Sequence, residues 1–298
     1  METKIKSVVT HYRDFHADDV FAVAILKMIN PKIKVIRCEY ADRKKIEGAD
    51  IRVDIGGKYD PKTLDFDHHQ PEGAGVRENG IPYASCGLVW HHYGEELTGD
   101  LRIFKEIDKK IMQTLDAIDN GMEISEVKII RPYTISDYIL SLNPQWPDEE
   151  LKNFDEGFDY AVEFAKHVLE TEIEKIKRRF LGEEKLKEYI NSDVNDNYLV
   201  LDANLPWREY VIEHTKYKYV IKYDKVTNSW QIYAVPIMIG SFDTRHNFPR
   251  KWSGLKGKEL ENESGVEGAV FCHRNLFFAV ANTREGAIKM VEKALSKK

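Results

Sequence analysis

Six of the ten histidines precede residue 93, and four of them stand with aspartates: His11 and His16 with Asp18 and Asp19, then Asp54, then Asp67 with His68 and His69. Mixed imidazole and carboxylate donors suit Mn2+, and also Mg2+, iron or zinc. Two such ions roughly 3.5–4 Å apart lower the pKa of a shared water and stabilise the attacking and leaving oxygens of a displacement. Hydrolysis of a phosphoester is the reaction that most needs this. Cys38, Cys86 and Cys272 are odd in number, widely spaced and without a C-x-x-C pattern, which speaks against a disulfide framework or structural zinc and for a reducing cytoplasm.

Four segments carry these residues. The first, His11 to Asp19, lies between a strand and a helix, where ligands of open parallel sheets gather. Asp18 or Asp19 could instead cap the helix, although capping needs only one short acid. The second, Val53-Asp54-Ile55-Gly56-Gly57, sets an acid at a strand end before two residues able to turn sharply. In the third, Leu64 to His69, Leu64 and Phe66 would face a core while Asp65 and Asp67 face away, so that His68 and His69 point to different sides. The fourth, Asp116 to Gly121, ends a helix with Asn120-Gly121 as its cap. Asp116 and Asp119 share the negative end of that helix, at a cost of about 0.3–1 kcal/mol each unless a cation offsets it. His91 and His92 read better as packing residues on a helix.

Hydrophobic periodicity supplies the elements that must position these residues, and it describes an α/β chain. Strands are expected at Ser7–Thr10, Lys34–Arg37 and Ile51–Val53, with helices at Val20–Ile29, Ala84–Leu97 and Ile103–Ile118 and a short one within Ala41–Glu47. This is the alternation of a mainly parallel sheet flanked by helices. From Leu151 to about Phe180, apolar residues at three- to five-residue steps predict one long amphipathic connecting helix, packed on the first domain or on a partner in a homodimer. The texture then turns β-rich: Asn197–Leu201, Tyr217–Tyr223, Trp230–Val235, Ala269–Cys272 and Leu276–Val280, with a hairpin loop at Asp224–Ser229 and a terminal helix at Thr283–Leu295. A boundary near residue 185 gives a catalytic domain over 1–185 and a smaller α+β domain over 186–298.

The net charge of −6 argues against a nucleic-acid protein that relies on bulk positive charge, so a polyanion would be held locally. Phe242, Arg245, His246, Arg250, Lys251 and Trp252 interleave cations with aromatics, as a base-stacking surface would, with a partner surface as the other reading. The start of the last helix pairs Asn282 with Glu285 as a capping box and presents Arg284 beside exposed N–H groups, a ready phosphate site. No apolar run has the length of a signal peptide or a membrane span.

Taken in order, these motifs resemble the DHH phosphoesterases, which include exonucleases and family II pyrophosphatases. His11 to Asp18, Val53 to Gly57, Asp67 to Gln70 and Thr283-Arg284-Glu285-Gly286-Ala287 resemble more closely the melanocyte proliferating gene one family, described as metal-dependent hydrolases and 3'-to-5' RNA exonucleases. The resemblance spans nearly the whole chain. It implies an N-terminal DHH-type domain, Mn2+ or Mg2+ as cofactor, and single-stranded RNA or a short oligonucleotide as substrate. It further implies one ion held by His11, His16 and Asp54 and a second by Asp18, Asp54, His68 and Asp119. Asp54 would bridge, His69 would contact phosphate and Arg284 would bind substrate; Arg245, on the interleaved loop, is a further substrate-binding candidate. Many DHH enzymes carry an aspartate four residues after the first histidine; here His16 follows by five, and Asp14 is the alternative ligand. Two other functions stay open: hydrolysis of a small phosphorylated molecule such as pyrophosphate or a dinucleotide, and metal-dependent nucleic-acid binding without turnover.

Overall fold

The structure is a computed structural model that describes residues 5–125, 130–147, 150–192 and 195–296. The chain divides into two compact units, Met1–Ile176 and Lys177–Lys298.

The first unit is built on a five-stranded sheet. Its strands are β1 (Ser7–His11), β2 (Lys34–Cys38), β3 (Ile51–Val53), β4 (Tyr59–Asp60) and β5 (Asp65–Phe66), in the order β2-β1-β3-β5-β4. All neighbours are parallel except β4 and β5. From β1 the chain crosses through α1 (Ala17–Ile29) to β2 on one side, then through α2 (Arg43–Gly48) to β3 on the other. The strand order therefore reverses at β1, and the crevice at the carboxyl ends of β1 and β3 is where such a sheet binds ligands. His11 closes β1, Asp54 follows β3, and Asp67 to His69 follow β5.

Helix α1 is a helix by composition as well as by packing. Ala17 to Leu26 are all buried, and each large apolar side chain among them contributes about 1.5–3 kcal/mol on burial. It packs on α3 (Ser85–Thr98), which Gly99 ends in a left-handed cap at φ 66°. The run expected as one helix over Ile103–Ile118 is α4 (Leu101–Ile107) and α5 (Gln113–Asp119) joined by a π turn at Asp108–Met112. The turn has a visible anchor, because Asp108 accepts from Arg77 (3.1 Å) and from Gln113 (2.8 Å). Such an insertion rotates the faces of α5 by about 100° relative to an unbroken helix. Helix α6 (Ile135–Ser141), which periodicity did not indicate, is nucleated by a capping box between Thr134 and Asp137.

The long helix α7 runs from Leu151 to Ser192, twelve residues past its expected end. Gly182 lies within it and lets another segment approach: a Cβ on it would lie 2.4 Å from Pro206. The helix continues because Leu186, fully buried, joins Leu199, Leu201, Trp207 and Val211 in one core. The division between the two units falls inside this helix.

The second unit carries the sheet β6-β7-β8-β10-β9, with β6 (Tyr198–Leu201), β7 (Tyr219–Asp224), β8 (Ser229–Ala234), β9 (Ala269–Cys272) and β10 (Phe278–Ala281). Only β6 and β7 pair in parallel. Helices α8 (Arg208–His214), α9 (Gly257–Ser264) and α10 (Arg284–Ser296) complete it. Trp252, fully buried, packs with Phe248, Tyr219 and Met290 in its core. Trp252 is therefore not part of the surface that its neighbouring cations suggested. Among the described residues, no helix is long and apolar enough to cross a membrane.

Candidate metal centre

Three strand ends, the start of α1 and the end of α5 converge within the first unit. The His11 Nε2 lies 3.2 Å from Asp54 Oδ2 and 3.3 Å from Asp19 Oδ2. The His68 Nε2 lies 3.1 Å from Asp119 Oδ2, 3.4 Å from Asp54 Oδ1 and 3.7 Å from Asp18 Oδ2. Asp54 thus faces His11 with Oδ2 and His68 with Oδ1. Its backbone sits at φ 54°, a region that Asp and Asn enter more readily than most residues. Ser85, the first residue of α3, donates to Asp54 Oδ1 at 2.9 Å.

Three groups of donors lie close enough to share an ion: His11, His16 and Asp54; Asp54, His68 and His69; and His16, Asp18 and Asp119. His16 belongs to two of them. Asp14 is exposed and belongs to none among the described residues. Asp19 is both capping residue and wall of the site: its Oδ1 accepts from the N–H groups of His16 and Val20, each at 2.9 Å, while Oδ2 faces His11.

The fit to a cation is visible in the atoms left over. His11 Nε2, His68 Nε2, both Asp18 oxygens and Asp19 Oδ2 are buried without a hydrogen-bond partner. Each such atom costs about 1–3 kcal/mol, and five gathered in one place call for a bound ion or water. Divalent cations would satisfy all five, and the donors are the mixed imidazole and carboxylate set they prefer.

Electrostatics in the metal-free chain follow from the same crowding. Burial opposes charge on His11 and on His68, but Asp19 and Asp54 beside the first, and Asp119 and Asp54 beside the second, outweigh it and push each imidazole up to about 9. Burial, then Asp54 and Asp119, raise the Asp18 carboxyl well above the usual range. Asp54 moves the other way, because the imidazoles of His11, His68 and His69 close around it outweigh its burial.

His69 is held differently. Its backbone N–H and Nδ1–H both donate to Asp67 Oδ1, at 3.0 and 2.9 Å, and its Nδ1 lies 3.3 Å from Asp54. Asp67 is itself fixed by the Gly57 N–H at 2.6 Å, which Gly57 can present because it adopts φ 68°. Asp67 is thus buried support for His69, whose side chain remains half-exposed. A cleft of about 590 Å³ opens here, lined by His16, Asp54, His68, His69, Asp119 and Ser136 among others.

Asp116 does not join this group. Its cation is Arg77, whose Nη1 is 2.5 Å from Asp116 Oδ2, and it accepts from the Gly87 N–H at 3.0 Å. His91 and His92 are exposed on α3, against Tyr83 and Phe66 respectively. In the second unit, Arg245 donates to the carbonyls of Tyr217 (2.9 Å) and Ile212 (2.6 Å), so its guanidinium holds backbone. Arg284 is half-exposed, with Nε 3.8 Å from Asp202. The cap of α10 is Thr283, whose hydroxyl accepts from Gly286 N at 3.0 Å, in place of the expected Asn282. His273 accepts from the Asn275 N–H and lies against Phe277.

Ser85, Arg77 and Tyr40 were not singled out in the sequence. Tyr40 stacks on His11 with ring planes 6° apart. An aromatic in a short loop gives no periodic signal, and Arg77 meets its acids 31 and 39 residues away.

Residues 7–295 match the family model MYG1_exonuc, described as "Uncharacterised protein family (UPF0160)". The MYG1 protein of Dictyostelium discoideum is 30% identical, with 97% of this chain and 96% of that protein covered. MYG1 exonuclease of Mus musculus is 27% identical over 97% and 84% of the two chains, and that of Homo sapiens is 27% identical over 97% and 85%.

Proposed function

The chain belongs to the MYG1_exonuc family, and on that footing we propose that it is a two-metal phosphodiesterase that removes nucleotides from the 3' end of single-stranded RNA or short oligonucleotides. Relatives named exonuclease support a nuclease-like hydrolase. The observation that carries the metal dependence is the set of five buried, partnerless atoms on His11, Asp18, Asp19 and His68. The motif order supports a place for this chain among the DHH phosphoesterases.

His11, His16 and Asp54 would hold one ion, and Asp18, Asp54, His68 and Asp119 the other, with Asp54 shared through its two oxygens. Mn2+ suits this donor set best, and Mg2+ is the alternative. When bound, the ions supply Lewis acidity that makes water nucleophilic near neutral pH and offsets charge on the phosphate. Asp54 and Asp67 push the His69 imidazole up to about 10 in the metal-free chain. A charged, half-exposed His69 can hold a phosphate oxygen and give a proton to the departing 3' oxygen. Arg284 is a candidate phosphate contact. Three free, buried cysteines support a reducing, cytoplasmic setting.

The test is to incubate metal-stripped, repurified protein with 3'-labelled and 5'-labelled single-stranded RNA, with and without Mn2+, beside Asp54→Asn. Manganese-dependent release of mononucleotides from the 3' end is expected, with a loss of at least about 100-fold in the variant, beyond what removal of a ligand's supporting contacts costs. Intact RNA would refute the exonuclease reading. A second reading then gains weight from Trp252, buried in the core, and Arg245, committed to backbone. With two members of the basic loop unavailable, a short phosphorylated molecule such as pyrophosphate or a dinucleotide becomes the next substrate to assay.

A further inference from the structure

Among the described residues, His16 is the only donor besides Asp54 in two of the three ligand groups, yet it lies on no regular element. It sits between β1 and α1 with its side chain exposed. Something must orient it. The peptide unit joining Phe15 to His16 is gripped at both of its polar ends. Its N–H, that of His16, donates to Asp19 Oδ1 at 2.9 Å. Its carbonyl, that of Phe15, accepts from Asn143 Nδ2 at 2.9 Å. The same Asn143 accepts the Phe15 N–H through Oδ1 at 2.9 Å, so one amide side chain spans Phe15 as a neighbouring strand would.

A peptide unit is planar. Fixing its two ends restrains its plane, and with His16 at φ −118° this sets the direction in which the His16 Cβ leaves the chain. Asn143 is 5% exposed, and its Nδ2 also donates to the Leu140 carbonyl at 3.2 Å. Phe15 is fully buried, its ring edge-on to Phe158 with centroids 5.6 Å apart. Nearby Arg13, at φ 69°, has its carbonyl bound by Arg37. The turn is therefore held at several points, but among the described residues only Asn143 and Asp19 hold the Phe15–His16 peptide. Asn143 also follows α6, whose Ser136, Asp137 and Leu140 line the cleft, so it joins the cleft wall to the ligand turn.

We infer that Asn143, 128 residues from Phe15, is a positioning residue that sets the coordination geometry of His16. The inference rests on the metal-centre reading, and its readout is Mn2+ affinity rather than turnover. Mn2+ is titrated calorimetrically into the metal-stripped full chain, its Asn143→Ala, Asn143→Asp and His16→Ala variants, and the double variant His16→Ala/Asn143→Ala. Asn143→Ala should weaken binding about 10–100-fold, the usual effect of removing a group that orients a ligand. In the His16→Ala background the same change should alter affinity by less than about threefold, because the residue it orients is gone. Asn143→Asp, which keeps the shape and the acceptor for Phe15 N–H but not the donor to its carbonyl, should weaken binding in the same His16-dependent way. It serves where the alanine variant does not fold. Equal losses in both backgrounds, or none in either, would overturn the inference and mark Asn143 as a fold contact alone. Failure of the unsubstituted chain to bind Mn2+ would instead overturn the metal-centre reading.

Discussion

Loading the centre with Mn2+ at pH 7 should expel protons, and their number follows from the metal-free geometry. Ligation requires neutral imidazole, whereas the carboxylates around His11 and His68 outweigh burial and hold both at about 9. Two units below that value each ring is about 99% protonated, so each releases nearly one proton. Asp18, raised well above the usual range by burial and by Asp54 and Asp119, acts in the same direction. The expected release is about two protons per filled centre, and overall affinity should rise about 100-fold per pH unit between about pH 6.5 and 8. The stability of the metal-free fold runs the opposite way. The raised pKa of each histidine contributes stability that is fully present below the unfolded value of 6.5 and is lost as pH rises through 9. Each is worth at most about 3 kcal/mol, and less than double that together, because both lean on Asp54. Calorimetric titration in buffers of unlike ionisation enthalpy counts the protons, and thermal melts with chelator follow the stability. Release of less than about half a proton, with affinity flat over that pH range, would refute the argument.

Two further outcomes test the supports of the site. A Cβ on Gly87 would lie 1.9 Å from Asp116 Oδ2, so Gly87→Ala should displace that carboxylate from Arg77 and cost about 3 kcal/mol in denaturant unfolding. A loss below about 1 kcal/mol, the range of surface substitutions, would mean that this close approach is not maintained. Asp67→Asn should lower turnover about 10- to 100-fold while leaving Mn2+ affinity nearly unchanged. Its NMR titration should show His69 below about 10, since one of its two carboxylate partners is gone.

The segments that carry the candidate metal donors could be placed because each joins a strand or helix whose periodicity fixes where its end lies. Ile51–Val53 and Ala269–Cys272 appear as expected, and His11 and Asp54 meet because β1 and β3 are neighbours. What lay outside the periodic signal was long-range pairing of polar side chains. Asp116 and Asp119 looked equivalent, yet Arg77, in an irregular segment, claims the first and leaves the second to His68. Asn143 gave no signal at all, since its partner is backbone 128 residues away. The end of α7 was missed for a related reason: the helix runs on past Phe180 because Leu186 packs with residues far along the chain, and Gly182 serves a close approach by Pro206. The interleaved cations and aromatics after Phe242 misled because alternation cannot say which ring points inward. Phe242 is 96% exposed while Trp252 is fully buried.

The parallel arrangement of β1, β3 and β5 has a consequence for how the centre comes into being. Its donors lie on segments that touch only after crossover connections have closed, and such non-local pairing forms late and slowly. Until then the imidazoles and carboxylates are scattered along a chain with no shared pocket. A cation that needs all of them can grip only the finished sheet, so its stabilisation falls on the native state and not on the barrier leading to it. Metal would then act as a latch, slowing departure from the native state while leaving the rate of arrival unchanged.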